Sequence, residues 1–314
     1  MAVLGINRYG KAQVRVVHVD RGRQPHGIRD WNVSVSLAGE LRAVHLSGVN
    51  DQVLPTDTQK NTVYALAQQL GDVEPETFAL ALARHFVQSQ QGIFRSRVQL
   101  DSYAWTALGP HSFARTGTEV RTVTVVHDEQ SGSWVLGGVR ELTLLNTTDS
   151  EFWGFAKDSY TTLAETTDRM LATEVRAQWR FRDRAGDSAG DSAGDRAGDS
   201  AGDGPGGCDG CDGDWAALYG RARQALLNAF TDTYSYSLQQ TLFAMGSRVL
   251  TDVPQLCEVR LALPNKHHFL VDLAPFGQPN DNEVYLAADR PYGLIEGQVL
   301  AEDAPAAGPV WEQP

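Results

Sequence analysis

From Thr173 to Phe181 the chain alternates strictly, with Val175, Ala177, Trp179 and Phe181 on one side and Glu174, Arg176, Gln178 and Arg180 on the other. A period of two with bulky apolar residues on one face is the pattern of a half-buried β-strand, so the fold must supply a sheet with one dry face. Just upstream, Tyr160, Leu163, Thr167 and Met170 recur at helical spacing behind Asp158, a residue suited to an N-cap, and predict an amphipathic helix. Phe152, Trp153 and Phe155 form an interrupted apolar run before it. On pattern alone this is an ordinary helix-to-strand connection with aromatic packing.

The same two periods organise the rest of the chain. Lys11–Val19 reads as a strand, and Trp31, Val33, Val35 and Leu37 alternate with polar neighbours, giving an antiparallel pair. Glu40–Leu46 is a weaker third strand. Thr58–Leu70 is helical, with Val63, Leu66, Ala67 and Leu70 at i, i+3, i+4 and i+7 and Asp57 or Thr58 as the cap. A second helix opens on Pro75, a residue suited to a first helical turn, and carries Phe78, Leu82 and Phe86 toward a core. Strand runs over Arg95–Leu108 and Glu119–His127 follow. The order then repeats: strands Trp134–Leu145 and Glu174–Phe181, helices near Trp215–Phe230 and Ser237–Leu250, strands Leu256–Leu273 and Glu283–Leu300. Two rounds of strand pair, helix pair and strand pair predict an α+β duplication over residues 1–132 and 133–314, each half an antiparallel sheet with its helices on one face. A length of 314 residues suits two such cores.

Charge and cysteine usage narrow the function. The net charge of −12 with no basic patch argues against nucleic acid, which needs clustered Lys and Arg. No signal-peptide pattern, membrane-length apolar run or peroxisomal tripeptide is visible, and the three cysteines give no disulfide framework, so a cytoplasmic protein is expected. Residues 183–214 form a Gly/Ala/Asp/Ser tract whose nine Asp and two Arg carry −7 of the −12. Such composition cannot bury enough surface to offset its ordering entropy and predicts a disordered acidic loop. Cys208 and Cys211 lack a second ligand pair, so no metal site is expected there. No Walker loop, nucleophile elbow or HExxH motif appears either, and no cofactor is implied.

The wording FWGF at Phe152–Phe155, DSYTTLAETTDR at Asp158–Arg169 and the strand after it resemble uricase, the cofactor-free urate oxidase family. Four further stretches resemble that family in the same order: YGKAQVRV at Tyr9–Val16, PTDTQKNTVY at Pro55–Tyr64, SLQQT at Ser237–Thr241 and LPNKHHF at Leu263–Phe269. The likeness spans the chain apart from the acidic tract. It implies two tandem tunnelling-fold domains per subunit, sheets that assemble into a β-barrel tunnel in a homotetramer, and active sites at subunit interfaces, with urate and O2 as substrates. Residue by residue, Phe152 matches the family's stacking aromatic, a flat π face for a purine. Arg169 matches the arginine whose planar fork holds two adjacent acceptors of an anion, against the ordinary alternative of a helix-surface salt bridge. Gln239 matches the amide that pairs with the other ring edge, and Leu238 offers its backbone N–H. Lys11, Thr56 and His267 match a proton relay in which a desolvated lysine works through the threonine hydroxyl. Thr56 and Asn265 also suit a clamp on O2 or water. Asp57 matches the aspartate beside the threonine, although an N-cap role serves it equally well. His268 stands where the family varies and is read as packing.

Two other readings share the fold. Tunnelling-fold enzymes that act on pterins often bind zinc through three histidines, and here His267 and His268 lack a third at a telling spacing. A purine-binding relative without catalysis is the non-enzyme alternative, and the presence of Lys11, Thr56 and His267 argues against it.

Overall fold

A computed structural model describes residues 2–182 and 214–312. The acidic tract with Cys208 and Cys211 lies outside the described residues, except Asp214. The elements run β1 (Tyr9–Asp20), β2 (Gly27–Gly39), α1 (Arg42–Ser47), α2 (Thr56–Leu70), α3 (Pro75–Ser89), β3 (Ile93–Tyr103), β4 (Trp105–Ala107), β5 (Phe113–Arg115) and β6 (Val120–Asp128). They continue as β7 (Gly132–Asn146), β8 (Leu171–Phe181), α4 (Trp215–Asp232), α5 (Leu238–Asp252), β9 (Leu256–Leu270) and β10 (Tyr285–Leu300). The described residues gather into two compact units, residues 2–137, 180–182, 214–218 and 305–312 in the first and 138–179 and 219–304 in the second. Among them no helix is long and apolar enough to cross a membrane.

In the first unit the strand order is β1-β2-β3-β6-β7. The alternation read from sequence sets its dry face: Trp31, Val33 and Leu37 of β2 are fully buried, and the register continues that row through Val33↔Leu100 and Val98↔Val125. Phe78, Leu82 and Phe86 of α3 cover the row, all fully buried, with the Phe78 ring 4.7 Å from Trp31. The opposite face of β6 is sealed by the end of the chain, where Val310 packs with Val126, Trp134 and Leu136. Arg97 Nη1 donates to the Val310 carbonyl at 2.8 Å and fixes that seat.

The second unit repeats the plan with order β7-β8-β9-β10 and helices α4 and α5. The packing of α5 on β10 is close. A Cβ at Gly297 would stand 2.7 Å from Leu242 Cδ2, so any larger residue there would have to move that side chain. Each unit is thus the expected mixture of antiparallel sheet and helix pair, and neither strand order closes on itself.

Four expectations change. Residues 158–170 are not helical: Asp158 instead caps a turn, accepting from the Tyr160 N–H at 3.0 Å, and Tyr160 and Leu163 are exposed. Within the described residues nothing covers those apolar positions, and local Asp and Thr hydrogen bonds set the loop instead. Arg42–Ser47 is a short helix rather than a strand. Arg180 lies on the polar side of its strand by alternation yet is fully buried, its Nη2 donating to the Pro305 carbonyl at 2.6 Å. Asp214, read as the end of the acidic loop, is the N-cap of α4 and accepts from the Ala217 N–H at 2.9 Å.

Candidate active site

In the first unit the family-matched residues stand on two neighbouring elements, β1 and the start of α2. Gly10 lets β1 press on β2, since a Cβ there would overlap the Val35 carbonyl. Immediately after, the register slips between Lys11↔Val35 and Val14↔Val33, and Gln13 takes a left-handed φ of 57° with its N–H on Ser34 Oγ at 3.0 Å. This bulge leaves Lys11 on the same side as Val14 and Val16, the side that faces α2, where plain alternation would have pointed Lys11 away from them. Tyr9, one step earlier on that side, accepts the Leu54 N–H on its hydroxyl at 2.8 Å and so pins the turn that opens α2. Burial pushes the Tyr9 phenol up, partly offset by that bond.

Thr56 is the first residue of α2, and Pro55 is its N-cap with no side-chain bond. Neither Asp57 nor Thr58 is therefore the cap. The Asp57 carboxylate accepts from Lys60 and, at 3.2 Å, from Asn61. It is held below the usual carboxylate range first by Lys60, then by Asn61, with a last contribution from the charge of Lys11. Thr56 and Asp57 are exposed, and Lys11 is half-buried.

The second unit carries the other residues. Phe152 is fastened into the 147–170 loop by a two-residue ladder with Thr166, its N–H donating to the Thr166 carbonyl at 2.8 Å and its carbonyl accepting at 3.0 Å. Phe155 stacks on it at 4.9 Å and 14°. The Arg169 guanidinium lies 5.2 Å over the Phe152 ring, a cation–π distance. Arg169 Nε donates to Ser150 Oγ at 3.2 Å, and its backbone N–H to the Ser150 carbonyl at 2.9 Å. No acid neutralises it among the described residues, and burial, the one influence on it, lowers its pKa. The alternative of a helix-surface salt bridge is absent among the described residues, because Arg169 lies outside any helix and meets no carboxylate there.

Leu238 and Gln239 are the first two residues of α5, whose N-cap Ser237 accepts from the Gln240 N–H. Their own N–H groups precede the first intrahelical bond, Thr241 N–H to the Ser237 carbonyl at 3.1 Å. Leu238 is buried while the Gln239 side chain is exposed. Asn265 and His267 sit two apart on β9, hence on one face, opposite Gly293 and Ala288 of β10, which bulges between those partners. His267 stacks on Phe269 at 5.8 Å. His268 turns the other way, with Nδ1 3.0 Å from the Lys266 carbonyl. Among the described residues no three His, Cys, Asp or Glu side chains converge to hold a metal.

The structure therefore places Lys11 on the side of β1 that faces α2, where its charge acts on Asp57, and Arg169 over Phe152. Two residues that sequence reasoning missed support them: Tyr9, which lies inside a matched stretch, and Ser150, which carries no signal in the polar run NTTDS.

A uricase family model matches residues 7–126 and 135–296. The chain is 43% identical over 313 residues to the uricase of Arthrobacter globiformis, covering 98% of this chain and 93% of that one. It is 33% identical to the uricase of Dictyostelium discoideum, covering 95% and 98%. Among solved structures, the crystal structure of uricase from Arthrobacter globiformis aligns with a TM-score of 0.87 at 42% identity over the whole of both chains. A uricase from Bacillus fastidious shares the fold, with a TM-score of 0.75 at 22% identity over 95% of this chain and 94% of that one.

Proposed function

The chain belongs to the uricase family, and we propose that it oxidises urate with O2 and water to 5-hydroxyisourate and H2O2 in purine breakdown. Urate loses two electrons, O2 gains them with two protons as peroxide, and water supplies the new hydroxyl oxygen. The observation that carries this reading is Arg169, a half-buried cation with no acid partner among the described residues, held 5.2 Å over an aromatic face. A flat anion answers the open charge through two adjacent acceptors on the guanidinium fork, with Phe152 as the aromatic surface beside it. Gln239 reads the other ring edge through its amide, with the Leu238 N–H beside it. Lys11, Thr56 and His267 move protons, the Asp57 backbone adds a donor, and Thr56 and Asn265 hold O2 or water above the ring.

Lys11, Thr56 and Asp57 belong to the first unit and the remaining residues to the second. We propose that complete sites form where the first unit of one copy meets the second unit of another, in a cytoplasmic homotetramer whose sheets close into a tunnel. The test is an oxygen-electrode trace with urate after exhaustive chelation, paired with a peroxide assay. O2 uptake and H2O2 release in equal amounts are expected. Urate binding without O2 uptake would make the protein a binding relative, and turnover restored only by an added metal would overturn the cofactor-free route.

A further inference from the structure

Between the aromatic loop and α5 lie three hydroxyl side chains that the reaction does not use. Ser150, Ser235 and Thr241 are 0%, 0% and 1% exposed. Burying a hydroxyl is costly unless it is hydrogen-bonded, and Ala, Cys or Val would fill the same space, so this row needs a reason beyond packing. Its bonds link the Arg169 loop to the start of α5. Ser150 holds Arg169 twice, by Oγ to Nε at 3.2 Å and by its carbonyl to the backbone N–H at 2.9 Å. Ser235 then grips the chain on both sides of Ser150: its N–H donates to the Asp149 carbonyl and its carbonyl accepts from the Glu151 N–H, each at 2.9 Å. Ser235 Oγ accepts from Thr241 Oγ1 at 2.8 Å and donates to the carbonyl of Ser237, the N-cap of α5, at 3.2 Å. Gln239 stands two residues past that cap.

We infer that Ser150 is a positioning residue for urate, and that the Ser150–Ser235–Thr241 row sets the Arg169 fork relative to the Gln239 amide. This rests on the proposed urate oxidation. With Nε and the backbone both tied to Ser150 and the guanidinium carbon 5.2 Å from the Phe152 ring centre, the terminal Nη groups remain for two acceptors of the ring. An untethered arginine has rotamer freedom to lose on binding, and that loss weakens the complex. The tether removes the freedom before substrate arrives.

The test is a double-mutant cycle read as the Kd of urate under argon, where binding occurs without turnover. Ser150→Ala should weaken binding about tenfold in the parent chain and less than about twofold when Arg169 is already Ala, because a residue that acts through Arg169 has nothing left to act on. Ser150→Cys keeps the volume with a weak acceptor, should shift Kd in the same way, and carries the cycle if the alanine variant is unstable. Equal factors in both backgrounds, or an unchanged Kd in the parent background, would overturn the inference while leaving the proposed function intact. A parent chain that binds no urate would overturn both.

Discussion

Arg121 in the first unit and Arg169 in the second are both drawn away from solvent, and their surroundings differ in kind. Arg121, with 14% of its side chain exposed, donates to Glu74 at 2.9 Å and to Glu76 at 2.6 Å. Glu74 also accepts from Arg29, which bonds Asp72, which in turn accepts from Arg23. Burial pushes the Glu76 carboxyl up and Arg121 pulls it part of the way back. Arg169 has a serine and a ring where Arg121 has two carboxylates. A fold that needs a buried cation for its own stability answers that charge internally, since an unpaired buried charge is expensive. A cation with no acid partner among the described residues, over an aromatic face, is what the proposed urate site requires.

If that distinction holds, truncating the two arginines should give opposite results. Arg121→Ala leaves Glu76 buried without its partner and is expected to cost about 3–5 kcal/mol of stability in denaturant titration. Arg169→Ala should leave stability within about 1 kcal/mol and lower kcat/KM for urate at least a hundredfold. Equal stability losses, with turnover kept in the second variant, would erase the comparison.

A sharper form separates the units physically. Lys11→Met and Arg169→Ala oligomers should each be nearly inactive. Co-refolded in equal amounts they should regain activity in roughly a quarter of sites, because random pairing across a two-fold interface joins two unmutated halves that often. Mixed oligomers with no more activity than the parents would mean that each site lies within one subunit.

The matched charges of the first unit also predict a pH signature. Burial raises the Asp128 carboxyl, but Arg95 Nε at 2.9 Å and the Gln130 and Ser131 N–H groups lower it by more, so its net shift is downward. A depressed carboxyl contributes stability above its ordinary range and loses it as pH falls. Asp128→Asn should therefore be about 1 kcal/mol less stable than the parent at pH 7, and the gap should close below about pH 4. A gap independent of pH would assign the loss to packing alone.

The smallest effect is expected from charge that joins neither class. The chain leaves the described structure after Arg182 and returns at Asp214, and the Phe181 and Trp215 rings flanking that gap pack edge-on at 5.0 Å. Replacing residues 183–213 by a short Gly/Ser linker, with Asp214 kept as the α4 cap, should change stability by under about 1 kcal/mol and leave turnover nearly unchanged. Clear loss of assembly or activity would show that the tract acts in the enzyme.

Much of this was legible before any coordinates. Trp31–Leu37, Phe78–Phe86 and Val175–Phe181 carry their burial in their spacing, and the matched stretches marked Phe152, Arg169 and Gln239 as candidates. Spacing predicts a helix around Arg169 where the structure has a loop, because spacing reports which positions would share a face, not whether a surface waits to cover it. Arg180 was misplaced because alternation does not know that the Pro305 carbonyl returns to meet it.

The amino-acid sequence by itself determined the two rounds of strands and helices and the residue types of the site, because periodicity and chemistry are local properties of the chain. Only the tertiary structure decided that the β1 bulge turns Lys11 to the side facing α2, that no described carboxylate meets Arg169, and that Ser150 bonds it with Ser235 behind. Each of those depends on partners 19 to 85 residues away in sequence for Arg169–Ser150 and Ser150–Ser235, and on a one-residue slip between β1 and β2 for Lys11. Contacts that distant are set by how whole elements pack, and no local pattern encodes them.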